Sequence, residues 1–315
     1  IKIAMGLALF PAHAKTAEDL LKKSSIAMEQ SIKEGNPYAV WVDPQENLSQ
    51  TSSLLIESYL KDSIEHNELE TFYQPKLNIR KGEIFGVESL ARWTHPELGK
   101  IPPDLFIPIA EKSDLINDLT ASIINTTLKE SRQWQGIGPD IMVSINLSTI
   151  NLLNEIMVDI IERALNVWDI NPEQLMFEIT ESAMMTNPEQ SLDILRQINA
   201  LGAKCSIDDF GTGYSSLVYL KQLPVSELKI DKSFILNMLN DASDRMIANS
   251  IIDLAHNFNL FVTAEGVESD EILQQLAVMN CDNAQGYYIA TPMSAAALTE
   301  WIKTTDWKVK CSNHH

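Results

Sequence analysis

The sequence predicts an α/β protein whose main part is a TIM-like (β/α)8 barrel, and three observations support this fold class. Short apolar, β-branched segments alternate with amphipathic segments from Leu69 to about residue 303. This stretch approaches the length of about 250 residues that such a barrel takes. Polar side chains recur at the ends of the apolar segments, where a barrel would bring them together. A doubly wound open sheet stays the structural alternative.

The strands of the predicted barrel are eight apolar segments separated by helical periodicity. Ile156, Ile160 and Ile161 recur at helical spacing in one of the intervening segments, and Ile247 and Ile251 do so in another. We predict the strands at 71–79, 84–91, 141–146, 175–180, 204–208, 226–230, 260–264 and 284–289.

The amino-terminal part of the chain predicts half a domain. A strand over 1–10 precedes a helix that is capped by Thr16 and ends near Gly35, and a second strand covers 38–42. A polar linker then leads into a helix with an apolar stripe, formed by Leu54, Leu55, Tyr59, Leu60 and Ile64. The expected organisation is a partial α/β domain, a linker helix, the barrel and a tail, with bounds of 1–44, 45–68, 69–303 and 304–315.

Composition and charge restrict the possible functions. Lys and Arg number 24 against 43 Asp and Glu, a net charge of −19, which disfavours binding of nucleic acid polymers because such binding rests on phosphate neutralisation. The three cysteines, Cys205, Cys281 and Cys311, form no CxxC pair, which is typical of a reducing compartment. We expect a cytoplasmic protein, and an inner-membrane anchor in a longer form of it is compatible with this expectation.

Eight polar residues lie in or directly after seven of the predicted strands: Glu88, Asn146, Glu178, Asp208, Asp209, Lys229, Glu265 and Gln285. Buried charges are costly unless they are paired or bind metal. Carboxylate and amide oxygens suit Mg²⁺ or Mn²⁺. The adjacent Asp208 and Asp209 could serve two neighbouring ions, an arrangement used for phosphoryl displacement. The residue types therefore predict metal-assisted phosphoester hydrolysis.

Several long stretches of the chain carry a family resemblance. YQPKLNIRKGEIFGVESLARW, SINLS, FEITES, IDDFGTGYSSLVYLKQLPVSELKIDKSFI, VTAEGVE and DNAQGYY occur in this order within residues 69–303. Together they resemble the EAL-domain cyclic di-GMP phosphodiesterase family. Residues 1–44 resemble the last third of a degenerate GGDEF domain, although the GGDEF signature is absent from the chain.

The resemblance implies a role for each matching position. Glu88, Asn146, Glu178 and Asp208 match metal ligands, and Asp209 and Glu265 match contributors to a second metal site. Lys229 matches the lysine that orients the attacking water or stabilises developing charge, and either Glu265 or Asp209 would be the base. Substrate contacts and site support are implied for Gln74, Leu90, Arg92, Glu268 and Gln285. Glu181 matches the glutamate that steadies the loop 209–216.

The function implied is hydrolysis of cyclic di-GMP to linear pGpG with two Mg²⁺ or Mn²⁺ ions. An EAL-type receptor that binds cyclic di-GMP without cleaving it is the alternative. A homodimer through the EAL domain and a regulatory domain upstream of this chain are further expectations from the resemblance. Ser89 replaces the alanine of the name-giving motif, and strand alternation places it on the face opposite Glu88.

Overall fold

The computed structural model describes residues 4–14, 16–34, 37–41, 53–134, 141–213 and 217–309. Its main feature is a closed barrel of eight strands surrounded by helices, which confirms the predicted fold class. The strands are β1 (Met5–Leu7), β2 (Tyr38–Val40), β3 (Glu70–Asn78), β4 (Glu83–His95), β5 (Gly99–Ile101), β6 (Met142–Leu147), β7 (Leu175–Thr180), β8 (Lys204–Phe210), β9 (Glu227–Ile230), β10 (Phe261–Ala264), β11 (Asn283–Ala284), β12 (Met293–Ser294) and β13 (Lys308–Val309).

The helices are α1 (Ala17–Glu34), α2 (Ser53–Glu65), α3 (Pro103–Lys112), α4 (Ile116–Arg132), α5 (Ile156–Trp168), α6 (Glu181–Thr186), α7 (Pro188–Ala200), α8 (Leu217–Leu220), α9 (Lys232–Leu236), α10 (Ala242–Asn257), α11 (Asp270–Val278) and α12 (Ala295–Thr304). All eight predicted barrel strands are present. The last one is shorter than predicted, because β11 ends at Ala284.

The barrel strands run in the order β3, β4, β6, β7, β8, β9, β10, β11 and back to β3. A (β/α)8 barrel implies parallel strands throughout, and the structure departs from this arrangement at one strand, because β3 is antiparallel to both β4 and β11. Only four residues separate β3 from β4, whereas a crossover between parallel strands needs a dozen or more. The short connection therefore forces a hairpin at the start of the barrel.

The apolar core lies mainly between the outer face of the strands and the helices. On α5, for example, Met157, Ile161 and Leu165 are buried, at the three- and four-residue spacing of one helix face. Ile145 on β6 and Phe177 on β7 belong to the same buried cluster. Apolar side chains thus hold the helices to the barrel, and polar side chains of the strands are left for its interior.

The helix α2 packs on the side of the barrel. Ile56 and Leu60 lie in a buried cluster with Trp93 and Phe106, and the Trp93 indole donates a hydrogen bond to Ser63 at 3.0 Å. Leu60 is buried, as the predicted apolar stripe requires. Leu55 is 42% exposed and the next residue, Ile56, is buried in its place, so the prediction was wrong by one position there.

Near the amino terminus, β1 and β2 form a two-stranded parallel sheet on which α1 packs, so the predicted strand–helix–strand order is confirmed. The Thr16 carbonyl accepts a bond from the Leu20 amide, as expected at the start of a helix. Gly6 permits the close approach of β1 to α1, since a Cβ at this position would lie 1.9 Å from the Ser24 carbonyl oxygen.

Some predictions fall on residues outside the described ranges. These are the beginning of the first strand, the end of the second at Val42, the linker 45–52, loop residues 214–216 and tail residues 310–315. Among the described residues, none of the helices combines the length and apolar character needed to cross a bilayer.

Candidate active site

Polar side chains from seven consecutive barrel positions meet at the carboxyl end of the parallel strands. The centre of this site is Lys229, whose ammonium is wholly buried and faces four carboxylates. Its Nζ lies 2.5 Å from Glu178, 2.6 Å from Glu265, 3.1 Å from Asp208 and 3.5 Å from Glu88. We call Glu88, Glu178, Asp208, Asp209 and Glu265 the carboxylate cluster.

A β-bulge positions the two adjacent aspartates of this cluster. The pairing of β8 with β9 is regular up to Ile207 and Leu228 and resumes at Phe210 and Ile230. Asp208 and Asp209 therefore stand together opposite the single residue Lys229, an arrangement that bends a strand and redirects its side chains. Asp209 has a left-handed φ of 53°, unusual for a residue other than glycine. The bulge turns both carboxylates toward the end of the barrel.

The carboxylate cluster carries more negative charge than Lys229 can balance. Burial raises the pKa of Asp208 well above its usual range, even though Lys229 opposes the rise. Burial likewise raises the pKa of Glu265 and of Asp209. Glu178 differs, because two lysines contact it and outweigh burial, so that its pKa lies below the usual range. Further positive charge would stabilise this set of side chains in their ionised form.

Amide side chains hold Glu88 in place at one side of the site. Asn146 donates a hydrogen bond to Glu88 Oε1 at 2.7 Å, and Gln285 donates to Glu88 Oε2 at 2.6 Å. Gln285 also donates to Gln74, which in turn donates to the Ala290 carbonyl. The predicted residues Gln74, Asn146 and Gln285 are thus brought together around one carboxylate.

The carboxylate cluster fits a divalent cation. Single oxygens of Glu88, Glu178 and Asp208 lie within 4.8 Å of one another, and so do single oxygens of Asp208, Asp209 and Glu265. Opposite oxygen ligands of Mg²⁺ are separated by about 4.2 Å, twice the bond length of about 2.1 Å, so small side-chain rotations would close either group on an ion. The two groups share Asp208.

The structure adds two charged residues that were not predicted from the sequence to belong to the site. Lys76 on β3 and Glu227 on β9, which we call the lower pair, are buried inside the barrel on the amino-terminal side of the carboxylate cluster. Their charged atoms are 3.9 Å apart. The sequence carried a signal for Lys76, because it follows Gln74 by two residues in a predicted strand and must share its face.

The loop after β8 is tied to the start of α6. Glu181 is buried at the first position of that helix, and its Oε2 accepts a hydrogen bond from the Gly211 amide at 3.1 Å. A Cβ at Gly213 would lie 2.7 Å from the other oxygen of Glu181, so a larger residue there would require the Glu181 carboxylate to shift. These contacts join Glu181 to the loop, and its loop-steadying role stays a prediction.

The remaining predicted residues lie outside the hydrogen-bonded part of the site. Arg92 is half-buried on β4, with its guanidinium 5.6 Å from the centre of the Phe72 ring, and burial lowers its pKa. Leu90 is half-buried on the same strand. Glu268 is exposed and makes no hydrogen bond or ion pair with the carboxylate cluster among the residues that the structure describes. Geometry therefore gathers every predicted metal-site residue but leaves Glu268 apart.

Comparison with known proteins identifies relatives over nearly the whole chain. The bifunctional diguanylate cyclase/cyclic di-GMP phosphodiesterase MucR of Pseudomonas aeruginosa is 36% identical over 299 residues, which cover 95% of this chain and 44% of that protein. The cyclic di-GMP phosphodiesterase NbdA of the same organism is 36% identical over 301 residues, with coverages of 95% and 38%. The chain thus spans less than half the length of these relatives.

Solved structures with a similar fold come from the same group of proteins. A structure of the PaMucR phosphodiesterase in complex with c-di-GMP has a TM-score of 0.74 at 39% identity and covers 78% of this chain and 99% of that one. The EAL enzyme Bd1971, with cAMP and cyclic di-GMP bound, has a TM-score of 0.75 at 31% identity, with coverages of 92% and 77%. A model of the EAL domain matches residues 57–292, and the chain therefore belongs to the EAL domain family.

Proposed function

We propose that this chain hydrolyses one phosphodiester bond of cyclic di-GMP and releases linear pGpG in a reaction that depends on Mg²⁺ or Mn²⁺. The observation that carries the proposal is the carboxylate cluster around Lys229 at the carboxyl end of the barrel, where barrel enzymes have their active sites. The names of the relatives, cyclic di-GMP phosphodiesterases, support the choice of substrate.

In this proposal two divalent ions are held by the carboxylate cluster together with Asn146. Glu88, Asn146, Glu178 and Asp208 would hold one ion, and Asp209 and Glu265 would complete a second site with the shared Asp208. Bound ions of this kind lower the pKa of water and stabilise charge on phosphate oxygens. The geometry of the oxygens in the two groups supports this assignment.

The other residues act directly on the water or the substrate. Lys229 opposes the rise in the pKa of the buried carboxylates and is placed to orient the attacking water or to stabilise negative charge as it develops. Glu265 or Asp209 takes the proton from that water, because both lie at the open end of the site and are only half-buried.

Arg92 provides a positive charge for a phosphate, and Leu90 provides an apolar surface for a guanine base. Gln74, Gln285 and Glu268 are assigned to the support of the substrate. Glu181 holds the loop after β8 in position beside the carboxylate cluster by accepting the hydrogen bond of the Gly211 amide.

The test is incubation of the purified chain with cyclic di-GMP and Mg²⁺ or Mn²⁺, with and without EDTA, followed by chromatographic assay for pGpG. Formation of pGpG that EDTA abolishes is the expected result. Binding of cyclic di-GMP without product would contradict hydrolysis and favour the receptor function. If the chain neither binds cyclic di-GMP nor forms product, cyclic di-GMP is excluded as its ligand.

We also propose that residues 1–44 form the carboxyl-terminal part of a GGDEF-like domain, followed by a linker helix and the barrel. Large apolar side chains such as Phe10 and Leu21, which are 69% and 70% exposed, support a larger domain at this end. The greater length of the relatives supports a regulatory domain upstream. A homodimer through the EAL domain is testable by sedimentation of the purified chain.

A further inference from the structure

Two lysines contact the same carboxylate inside the barrel, and the proposed function uses only one of them. Lys229 faces the open end of the site. Lys76 approaches Glu178 from the opposite side, so that Glu178 Oε1 accepts from Lys76 and Glu178 Oε2 accepts from Lys229 at 2.5 Å. Glu178 is wholly buried and therefore takes its orientation from these two ammonium groups.

The position of Lys76 is itself held by groups outside the carboxylate cluster. Its ammonium donates a hydrogen bond to Ser144 Oγ at 2.8 Å and lies 3.9 Å from Glu227. Glu227 accepts hydrogen bonds from Ser206 at 3.2 Å and from Asn283 at 3.5 Å. These partners come from β6, β8, β9 and β11, so rigid strands on several sides of the barrel hold the Lys76 ammonium.

We propose that Lys76 is a positioning residue that orients Glu178 as a metal ligand, an inference that rests on the proposed metal-dependent function. Lys76 contacts Oε1, while Oε2 lies on the side of Lys229, which also contacts Asp208 and Glu88, the two carboxylates with which Glu178 forms a potential ligand group. Among the described residues, Lys76 has hydrogen-bond and ion-pair contacts with Ser144, Glu178 and Glu227, none of which is assigned to the substrate. Glu178 is the predicted metal ligand among these partners, and Lys76 therefore acts on the metal site through it.

This role differs measurably from a merely structural one. If Lys76 only neutralised Glu227, removal of both charges together would restore the metal affinity of the wild type. If Lys76 orients Glu178, metal affinity stays reduced after both charges are removed. Loss of a side chain that orients a metal ligand typically lowers metal affinity about 10- to 100-fold.

The experiment compares the wild-type chain with Lys76→Met, Glu227→Gln and the double variant Lys76→Met/Glu227→Gln. The double variant keeps the net charge of the barrel interior and guards against misfolding of the single lysine variant. Mn²⁺ binding is measured by calorimetry and by electron paramagnetic resonance of the bound ion. The Mn²⁺ dependence of kcat and the KM for cyclic di-GMP are measured in parallel.

For the double variant we expect a Mn²⁺ dissociation constant about 10- to 100-fold above that of the wild type, and an altered spectrum of the bound ion. Its KM for cyclic di-GMP should be unchanged at saturating Mn²⁺. Glu227→Gln alone should bind Mn²⁺ nearly as the wild type does, because Lys76 still contacts Glu178. A folded double variant with wild-type Mn²⁺ affinity would overturn the proposal, and so would failure of that charge-balanced variant to fold.

The wild-type chain separates this inference from the proposed function. If the wild type binds Mn²⁺ and forms pGpG while the double variant binds Mn²⁺ equally well, only the role of Lys76 is wrong. If the wild type binds no Mn²⁺, the proposed metal-dependent function is wrong, and the inference about Lys76 is wrong with it.

Discussion

The carboxylate cluster and the lower pair are both made of charged side chains buried in one barrel, yet their charges are balanced differently. In the lower pair, Lys76 and Glu227 match one to one, and Ser144, Ser206 and Asn283 supply neutral hydrogen bonds. In the carboxylate cluster, Lys229 faces four acidic side chains. The first arrangement is satisfied within the protein, whereas the second has an excess of negative charge.

The difference indicates which buried charges serve binding. Burial of ions is expensive, and a protein that needs only a stable core has no use for unbalanced carboxylates. An excess of one sign at the open end of a barrel is therefore evidence for a ligand of the other sign. Glu178 belongs to the carboxylate cluster but also contacts Lys76, and its pKa is lowered, whereas burial raises the pKa of Asp208, Asp209 and Glu265. The following changes test this contrast.

The largest effect is expected from Lys229→Met. Removal of one partner from a buried ionic network typically costs about 3–5 kcal/mol, because the remaining charges are left uncompensated. Chemical denaturation should show that loss in the metal-free protein. Lys204→Met, at the half-buried first position of β8, is the control and should change stability by less than about 0.5 kcal/mol. Equal stability of both variants would contradict the central role of Lys229.

Glu88→Ala should lower turnover of cyclic di-GMP by more than about 100-fold, which corresponds to about 2.7 kcal/mol of transition-state stabilisation. The reason is loss of a metal ligand that Asn146 and Gln285 hold in place. Glu83→Ala, which removes a carboxylate at the first residue of the same strand, should leave kcat close to wild type. Full activity of the Glu88 variant would refute its assignment as a ligand.

Metal binding should itself stabilise the fold. Mg²⁺ or Mn²⁺ at about 100 times its dissociation constant stabilises the native state by about 2.7 kcal/mol through mass action. Thermal unfolding with and without the ion measures the shift, and the Glu88→Ala variant provides the comparison with a weakened site. A melting temperature that does not respond to either ion would be inconsistent with a preformed metal site.

The smallest effect is expected on the outer face of β4. The Ser89 hydroxyl is buried without a hydrogen-bond partner in the described structure, so Ser89→Ala should stabilise the protein by roughly 1 kcal/mol. Ser144→Ala is the matched change on the inner side, where the hydroxyl accepts from Lys76, and should destabilise by roughly 1 kcal/mol. Urea denaturation of both variants gives the two signs, and a destabilised Ser89 variant would contradict the assigned environment.

The sequence determined the fold class and most of the candidate site. Alternation of apolar strands and amphipathic helices predicted the barrel. Each kind of element places its apolar residues on one buried face only when they recur with the period of that element. Polar residues at strand ends predicted the carboxylate cluster, because strands that close into a barrel bring their ends together. Both inferences depend on local periodicity, which is visible directly in the amino-acid sequence.

The tertiary structure decided three further features. The antiparallel pairing of β3 with β11, the bulge at Asp208 and Asp209, and the pairing of Lys76 with Glu178 and Glu227 all depend on which strands become neighbours. Lys76 and Glu178 are 102 residues apart in the chain. A contact over that distance has no local signature, and only closure of the barrel determines which charge each buried side chain meets.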